Sequence, residues 1–203
     1  MTQYYVPSSL SLETEIKRSR FICYVEPITE LDEGKALLSR LQQTYPTASH
    51  HVSAMVVGSP ALPTGLKLDD DGEPSGTAAK PMFNVLQKQN VGNIAAVIVR
   101  YFGGIKLGAG GLTRAYGQSL ANTLSAMTLA LVVPRCAFYI QLAYAEEAHV
   151  RQWLQVRSVD ILDVEYPAEG IVLHCAMVAQ DFPPIKSDLE GFLKREINLS
   201  VVA

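Results

Sequence analysis

The chain has 203 residues, a net charge of -3, and 48% hydrophobic against 18% charged content, the balance of a folded protein with room for one large domain or two small ones. That charge excludes a generally basic nucleic-acid binder, and no apolar run approaches the ~20 residues that span a bilayer. The opening MTQYYVPSSL lacks the basic and apolar regions of a signal peptide, so a cytoplasmic protein without a membrane partner is expected.

After a short extended piece, residues 17–25 (KRSRFICYV) predict a strand. Thr29 and Asp32 resemble a capping box, and Leu37, Leu38, Leu41 and Tyr45 recur at helical spacing until Pro46 stops them. His51 to Val57 predicts a second strand. The adjacent His50 and His51 put at least one ring at the surface there and form a candidate polar or acid-base site.

Residues 69–81, DDDGEPSGTAAKP, are poor material for a core element and good material for a shaped surface loop. Their carboxylates, Asp69, Asp70, Asp71 and Glu73, are of the type that ligates hard cations. Three adjacent Asp residues cannot all face one ion, however, and Pro74 breaks the EF-hand pattern. The other reading pairs them with Arg100, Lys106 or Arg114, so that an acidic turn and a basic turn dock. No metal or cofactor is expected.

Pro81 stands near a helix start, with Met82, Val85 and Leu86 on its apolar face. Ile94 to Tyr101 is almost wholly apolar, as a strand covered on both sides should be. It leads into a loop holding five glycines, Gly103, Gly104, Gly108, Gly110 and Gly111, and then a helix striped by Leu112, Tyr116, Leu120, Thr123, Leu124 and Met127. A glycine-rich strand-to-helix turn lets backbone approach a ligand and aims unpaired amides at it, so the expected guest is an anion.

No standard nucleotide spacing is present. Gly103 and Gly108 are separated as in a P-loop, yet Ala109 holds the Lys position; Gly108 and Gly110 begin a dinucleotide fingerprint, yet Thr113 falls where its third Gly belongs. Between Glu73 and Glu146 there is no acid, while Lys80, Lys88, Arg100, Lys106, Arg114 and Arg135 all fall in that stretch. Lys80, Arg100, Lys106 and Arg114 are therefore the expected phosphate contacts.

Pro134 marks the expected boundary between a domain of residues 1–134 and one of 135–203. Beyond it Phe138, Ile140, Leu142 and Tyr144 alternate, Val150, Trp153 and Leu154 mark a helix, and strands are expected at Val159 to Tyr166 and Ile171 to Val178. A helix opened by Pro183 and Pro184 and a strand near Ile197 to Val202 complete a ferredoxin-like βαββαβ order. The fold class is therefore α/β (α+β). Cys23, Cys136 and Cys175 lack any CxxC spacing and read as buried or incidental thiols.

DDDGEPSGTAAKP followed by VIVRYFGGIKLGAGGLTRAY, with SRFI at Ser19 to Ile22 and ASHHVSA at Ala48 to Ala54, resembles the paired signature of the IMPACT family, most closely its bacterial YigZ-like branch. Ser49, Val52 and Ala79 depart from it, standing where relatives often show Arg, Cys and Gly. The resemblance implies an N-terminal α/β domain like the second domain of a small-subunit ribosomal protein, and a C-terminal domain like the last domain of elongation factor G. It also implies company in translation, since the eukaryotic relatives act in translational control during amino-acid starvation. The combined expectation is a non-enzymatic protein that contacts RNA, the ribosome or a translation-associated protein. The alternative is a phosphate- or nucleotide-binding enzyme, a GHMP-like transferase using the glycine loop or a hydrolase using the His pair.

Overall fold

A computed structural model describes residues 3–201. The chain divides into two compact units, one covering residues 3–132 and the other beginning at Val133. In the first, the elements run β1 (Tyr4–Pro7), β2 (Leu10–Ile16), β3 (Ser19–Pro27), α1 (Leu31–Thr44), β4 (His50–Ser59), β5 (Leu62–Asp69), α2 (Ala79–Gln89), β6 (Ile94–Tyr101), α3 (Ala109–Ser125) and β7 (Leu129–Val132). Five strands form an antiparallel sheet in the order β2-β3-β6-β4-β5, and β1 pairs with β7 apart from it.

The sheet is covered on both faces, which is why β6 is apolar from Ile94 to Val99. On one side α1 buries Leu37 and Leu41 against Ile22, Met55, Val97 and Val99. On the other, α2 and α3 lay Met82, Leu86, Leu112, Tyr116 and Leu120 on Phe21, Cys23, Val52, Ala54 and Ile98. Consecutive strand residues point to opposite faces, so alternate side chains of β3, β4 and β6 feed two separate cores.

In the second unit the order is β8 (Arg135–Leu142), α4 (Glu147–Val156), β9 (Asp160–Glu165), β10 (Ile171–Val178), α5 (Ile185–Leu193) and β11 (Leu199–Val201). The antiparallel sheet runs β11-β8-β10-β9, the strand order of a ferredoxin-like fold. Phe138, Ile140, Leu142, Leu173 and Cys175 face Val150, Trp153, Leu154, Ile185 and Leu189 of the two helices. The expected last strand is trimmed to Leu199–Val201, and Val202 lies outside the described residues.

Three local expectations change. Residues 17–25 are not one strand: Lys17 and Arg18 form the two-residue turn of the β2–β3 hairpin, with Ile16 opposite Ser19. The start of α1 is one residue later than the Thr29–Asp32 box implies. Glu33 accepts the Thr29 and Glu30 amides at 2.6 and 3.3 Å, while Asp32 pairs with Lys35. Finally, β5 occupies Leu62 to Asp69, where the sequence reading assigned no element before the acidic segment. Pro63 and Gly65 disguise it, and both are tolerated because β5 is an edge strand.

Candidate functional site

The acidic segment is a clasp built from four carboxylates that go four different ways. Asp69 accepts the Asp71 amide at 3.0 Å. Asp70 receives the Gly76 amide on one oxygen at 2.7 Å, and the Ala78 and Ala79 amides on the other at 3.2 and 2.7 Å. It thereby caps α2, whose own N-cap residue, Ala78, has no side-chain acceptor. Asp71 accepts the His51 amide at 2.6 Å, and its carbonyl accepts the His50 Nδ1 proton at 2.7 Å.

Glu73 turns inward. Its Oε1 accepts Arg100 Nη1 at 2.5 Å and the Tyr116 hydroxyl at 2.7 Å, and the Glu73 and Arg100 side chains are only 3% and 6% exposed. Phe21, Arg100 and His50 lie in one cross-strand row of β3, β6 and β4, so their side chains share the α2–α3 face. The Arg100 guanidinium sits 5.4 Å from the Phe21 ring centre, and Tyr116 meets that ring edge-on at 5.2 Å. Burial, and then the Glu73 carboxylate, push the Tyr116 hydroxyl pKa far up, so it stays a donor to Glu73.

This geometry corrects several expectations. Arg100 is a buried partner of Glu73 rather than an exposed phosphate contact, because its strand is covered on both faces. The acidic and basic segments do dock, through Glu73 and Arg100; among the described residues no carboxylate pairs with Lys106 or Arg114. His50 and His51 do not form one site, since strand alternation sends His50 toward Glu73, 3.8 Å away, and His51 to the α1 face. Among the described residues no group of three or more His, Cys, Asp or Glu is arranged to hold a metal ion.

The glycine loop leaves β6 under the control of two serine hydroxyls. Ser49 Oγ accepts the Phe102 amide and Ser19 Oγ the Gly103 amide, each at 3.2 Å. The strands on either side of β6 thus hold the loop's exit. Gly103 is a steric necessity, because a Cβ there would lie 2.0 Å from the Arg18 carbonyl. Gly104 and Gly108 adopt φ of +82° and +71°, which side chains disfavour. Gly110 has neither constraint: its φ is not in that region and a Cβ would meet nothing within 4 Å.

Gly108 is the N-cap of α3 and offers no side chain to cap it. This differs from α2, whose first amide is served by Asp70, and from α1, where Glu33 reaches back to the amide of the N-cap residue Glu30. Beside the uncapped end stands the hairpin tip, with Lys17 and Arg18 at φ of +48° and +65°. Such turns normally take Asn-Gly, and a residue other than Gly, Asn or Asp there costs about 1–2 kcal/mol. Lys17, Arg18, Lys106 and Arg114 are all exposed. None makes an ion pair with a described carboxylate, and Arg114 Nε donates only to the Gly110 carbonyl, at 3.2 Å.

A groove of about 410 Å³ runs between the tip and α3, lined by Ile16, Lys17, Leu107, Gly111, Arg114 and Gln118 with Ala115. Gly111 lies in its wall, closely packed on Leu107. Lys80 is exposed in the first turn of α2, whose Pro81 carbonyl lies 4.0 Å from a Cβ built on Gly117 of α3. Sequence reading missed Lys17 and Arg18. The signal was a change of phase: apolar residues fall on even positions through Leu10, Leu12 and Ile16, then on odd positions through Phe21, Cys23 and Val25.

Comparison with known proteins places these features in a lineage. The family model of the Impact N-terminal domain matches residues 17–124, from the hairpin tip to the last turn of α3. A Haemophilus influenzae protein described as an IMPACT family member is 41% identical over 83% of this chain and 82% of its own length. The Escherichia coli IMPACT family member YigZ is 32% identical over 100% of this chain and 99% of its own. The crystal structure of a hypothetical protein, 32% identical, superposes with a TM-score of 0.65 over 100% of this chain and 98% of that one.

Proposed function

The chain belongs to the IMPACT family, in its YigZ-like branch, and from that premise we propose that it is a non-enzymatic protein that binds RNA within the translation apparatus. The observation carrying this reading is that Lys17 and Arg114 line one groove without an acid at the uncapped N-terminal end of α3, with the exposed Arg18 and Lys106 next in sequence to its lining residues Lys17 and Leu107. Cations without carboxylate partners, next to free backbone amides, favour a polyanion over a single small anion. The translational context comes from the family resemblance.

The enzymatic alternative would need a working acid-base group. His50, Glu73, Arg100 and Tyr116 have that composition, but Glu73 is already the acceptor for Arg100 and Tyr116, and His50 Nδ1 is held by the Asp71 carbonyl. Those contacts make the group a structural clasp.

The test is fluorescence anisotropy of a labelled RNA across a salt series. Binding should weaken steeply with salt, with a log-log slope of roughly -3 if four phosphates are neutralised on a single strand. Lys17→Gln combined with Arg18→Gln should flatten that slope and leave the melting temperature unchanged or higher. Salt-independent binding, or none at low salt, would overturn the proposal. Sedimentation with ribosomes at low and high salt then separates free RNA from ribosomal RNA as the target.

A further inference from the structure

Resting on the RNA-binding reading above, we propose that the ligand is single-stranded and that the groove between the hairpin tip and α3 takes one of its bases. A site for phosphate alone, or for the backbone of a duplex, needs only cations and amides. This one also has an apolar floor. Ile16, Leu107 and Ala115 form it, Lys17 and Arg114 stand at its edge, and Gln118 supplies an amide that can both donate and accept. No acid lines it. The volume of about 410 Å³ admits a flat heterocycle with its ribose, and charge complementarity places the flanking phosphates on Lys17 and Arg114.

The loop beside the groove carries the same mixture. Phe102 and Ile105 are 49% and 42% exposed on the connection that bears Lys106, outside both apolar cores. An exposed ring on a basic loop is the usual platform for an unpaired base. Base faces and Watson–Crick edges are accessible to such surfaces in single strands, whereas in the A-form duplex the faces are stacked and those edges paired. Gly110, where a Cβ would meet nothing within 4 Å, leaves room for the strand's backbone at the first turn of α3.

The experiment compares, on the full chain, a labelled 10-nucleotide RNA, an abasic ribose-phosphate strand of the same length, and a duplex of the same sequence. The native strand should bind at least about fivefold more tightly than the abasic one, the difference expected from burying a few tens of Å² of apolar surface. Leu107→Ala and Phe102→Ala should erase most of that advantage without altering the salt slope, since neither changes a charge. Equal affinity for native and abasic strands, or a preference for the duplex, overturns the base-in-groove proposal while salt-dependent binding keeps the RNA reading intact. Absence of salt-dependent binding by the unaltered protein overturns both. The native-to-abasic comparison needs no variant, so misfolding of either substitution does not obscure the answer.

Discussion

Gly103 and Gly110 sit seven residues apart in the same motif under opposite constraints, and that contrast is testable by one methyl group each. Gly103→Ala drives a Cβ into the Arg18 carbonyl. The hairpin tip must move, at an expected cost of at least about 2 kcal/mol, read as a lowered urea midpoint. Gly110→Ala meets open space in the first turn of a helix, where replacing glycine should add about 0.5–1 kcal/mol. It should nevertheless weaken RNA binding if the ligand backbone approaches there. The thiols form a second residue-scale test. Burial pushes Cys23 and Cys175 up to about 12, so alkylation of the folded protein at pH 8 should modify the half-buried Cys136 first, as peptide mass mapping would reveal. Equal labelling of all three would contradict the buried packing of the other two.

At the scale of elements, the clasp makes the acidic loop a structural device that joins β5, α2, β6 and α3. Removing one member of a buried ion pair strands the other, so Arg100→Leu should cost roughly 3–5 kcal/mol in chemical denaturation. The double variant Arg100→Leu, Glu73→Leu should cost less than the sum of the single changes, a coupling that independent sites would not give. In the second unit, Arg195 binds both oxygens of Glu146, by hydrogen bonds at 2.7 and 2.5 Å. The Arg195 hydrogen bond holds the Glu146 carboxyl below its usual range, helped by the Ala143 amide and opposed by burial. A depressed folded value means the stabilisation is complete above the unfolded carboxylate range near pH 4.3 and is lost as pH falls through the lower folded value. The pair is partly exposed, so Arg195→Met should cost under about 1 kcal/mol at pH 7 and nothing at a pH below both values, measured by thermal unfolding across pH.

Element type was legible wherever one period dominated. The apolar run of β6 and the stripe of α3 are long enough for burial to decide the conformation. β5 and the Lys17–Arg18 turn were not legible, because edge position admits Pro and Gly, and because positive φ at Lys and Arg follows no local preference. The cap of α2 was hidden for a different reason. Asp70 lies eight residues before Ala78, and only the folded loop brings its carboxylate to the helix. The same applies to Glu73, whose partners lie 27 and 43 residues away.

Across the whole molecule, the acid-free stretch proves to be a property of the sequence rather than of one surface. Arg100 goes inside, Lys88 lies in the last turn of α2, and Arg135 pairs with Asp160 and the Ala176 carbonyl in the other unit. The patch that remains recruits Lys17 and Arg18 from about ninety residues upstream of Lys106 and Arg114, a grouping no linear charge count detects. Core residues partition more cleanly than charges. The two apolar clusters on the five-stranded sheet draw on residues 16–129, and the cluster in the other unit on residues 138–199. Each unit buries its own helix faces and pairs its own strands. Residues 133–203 should therefore fold alone as an independent domain, with a cooperative thermal transition and mixed helix and strand circular dichroism. Residues 3–132 should retain the full salt-dependent affinity for RNA, because Lys17, Arg18, Lys106, Arg114 and the groove all belong to them. A fragment beginning at Val133 that stays unfolded, or a loss of RNA binding on its removal, would mean that the two units depend on each other for stability or for function.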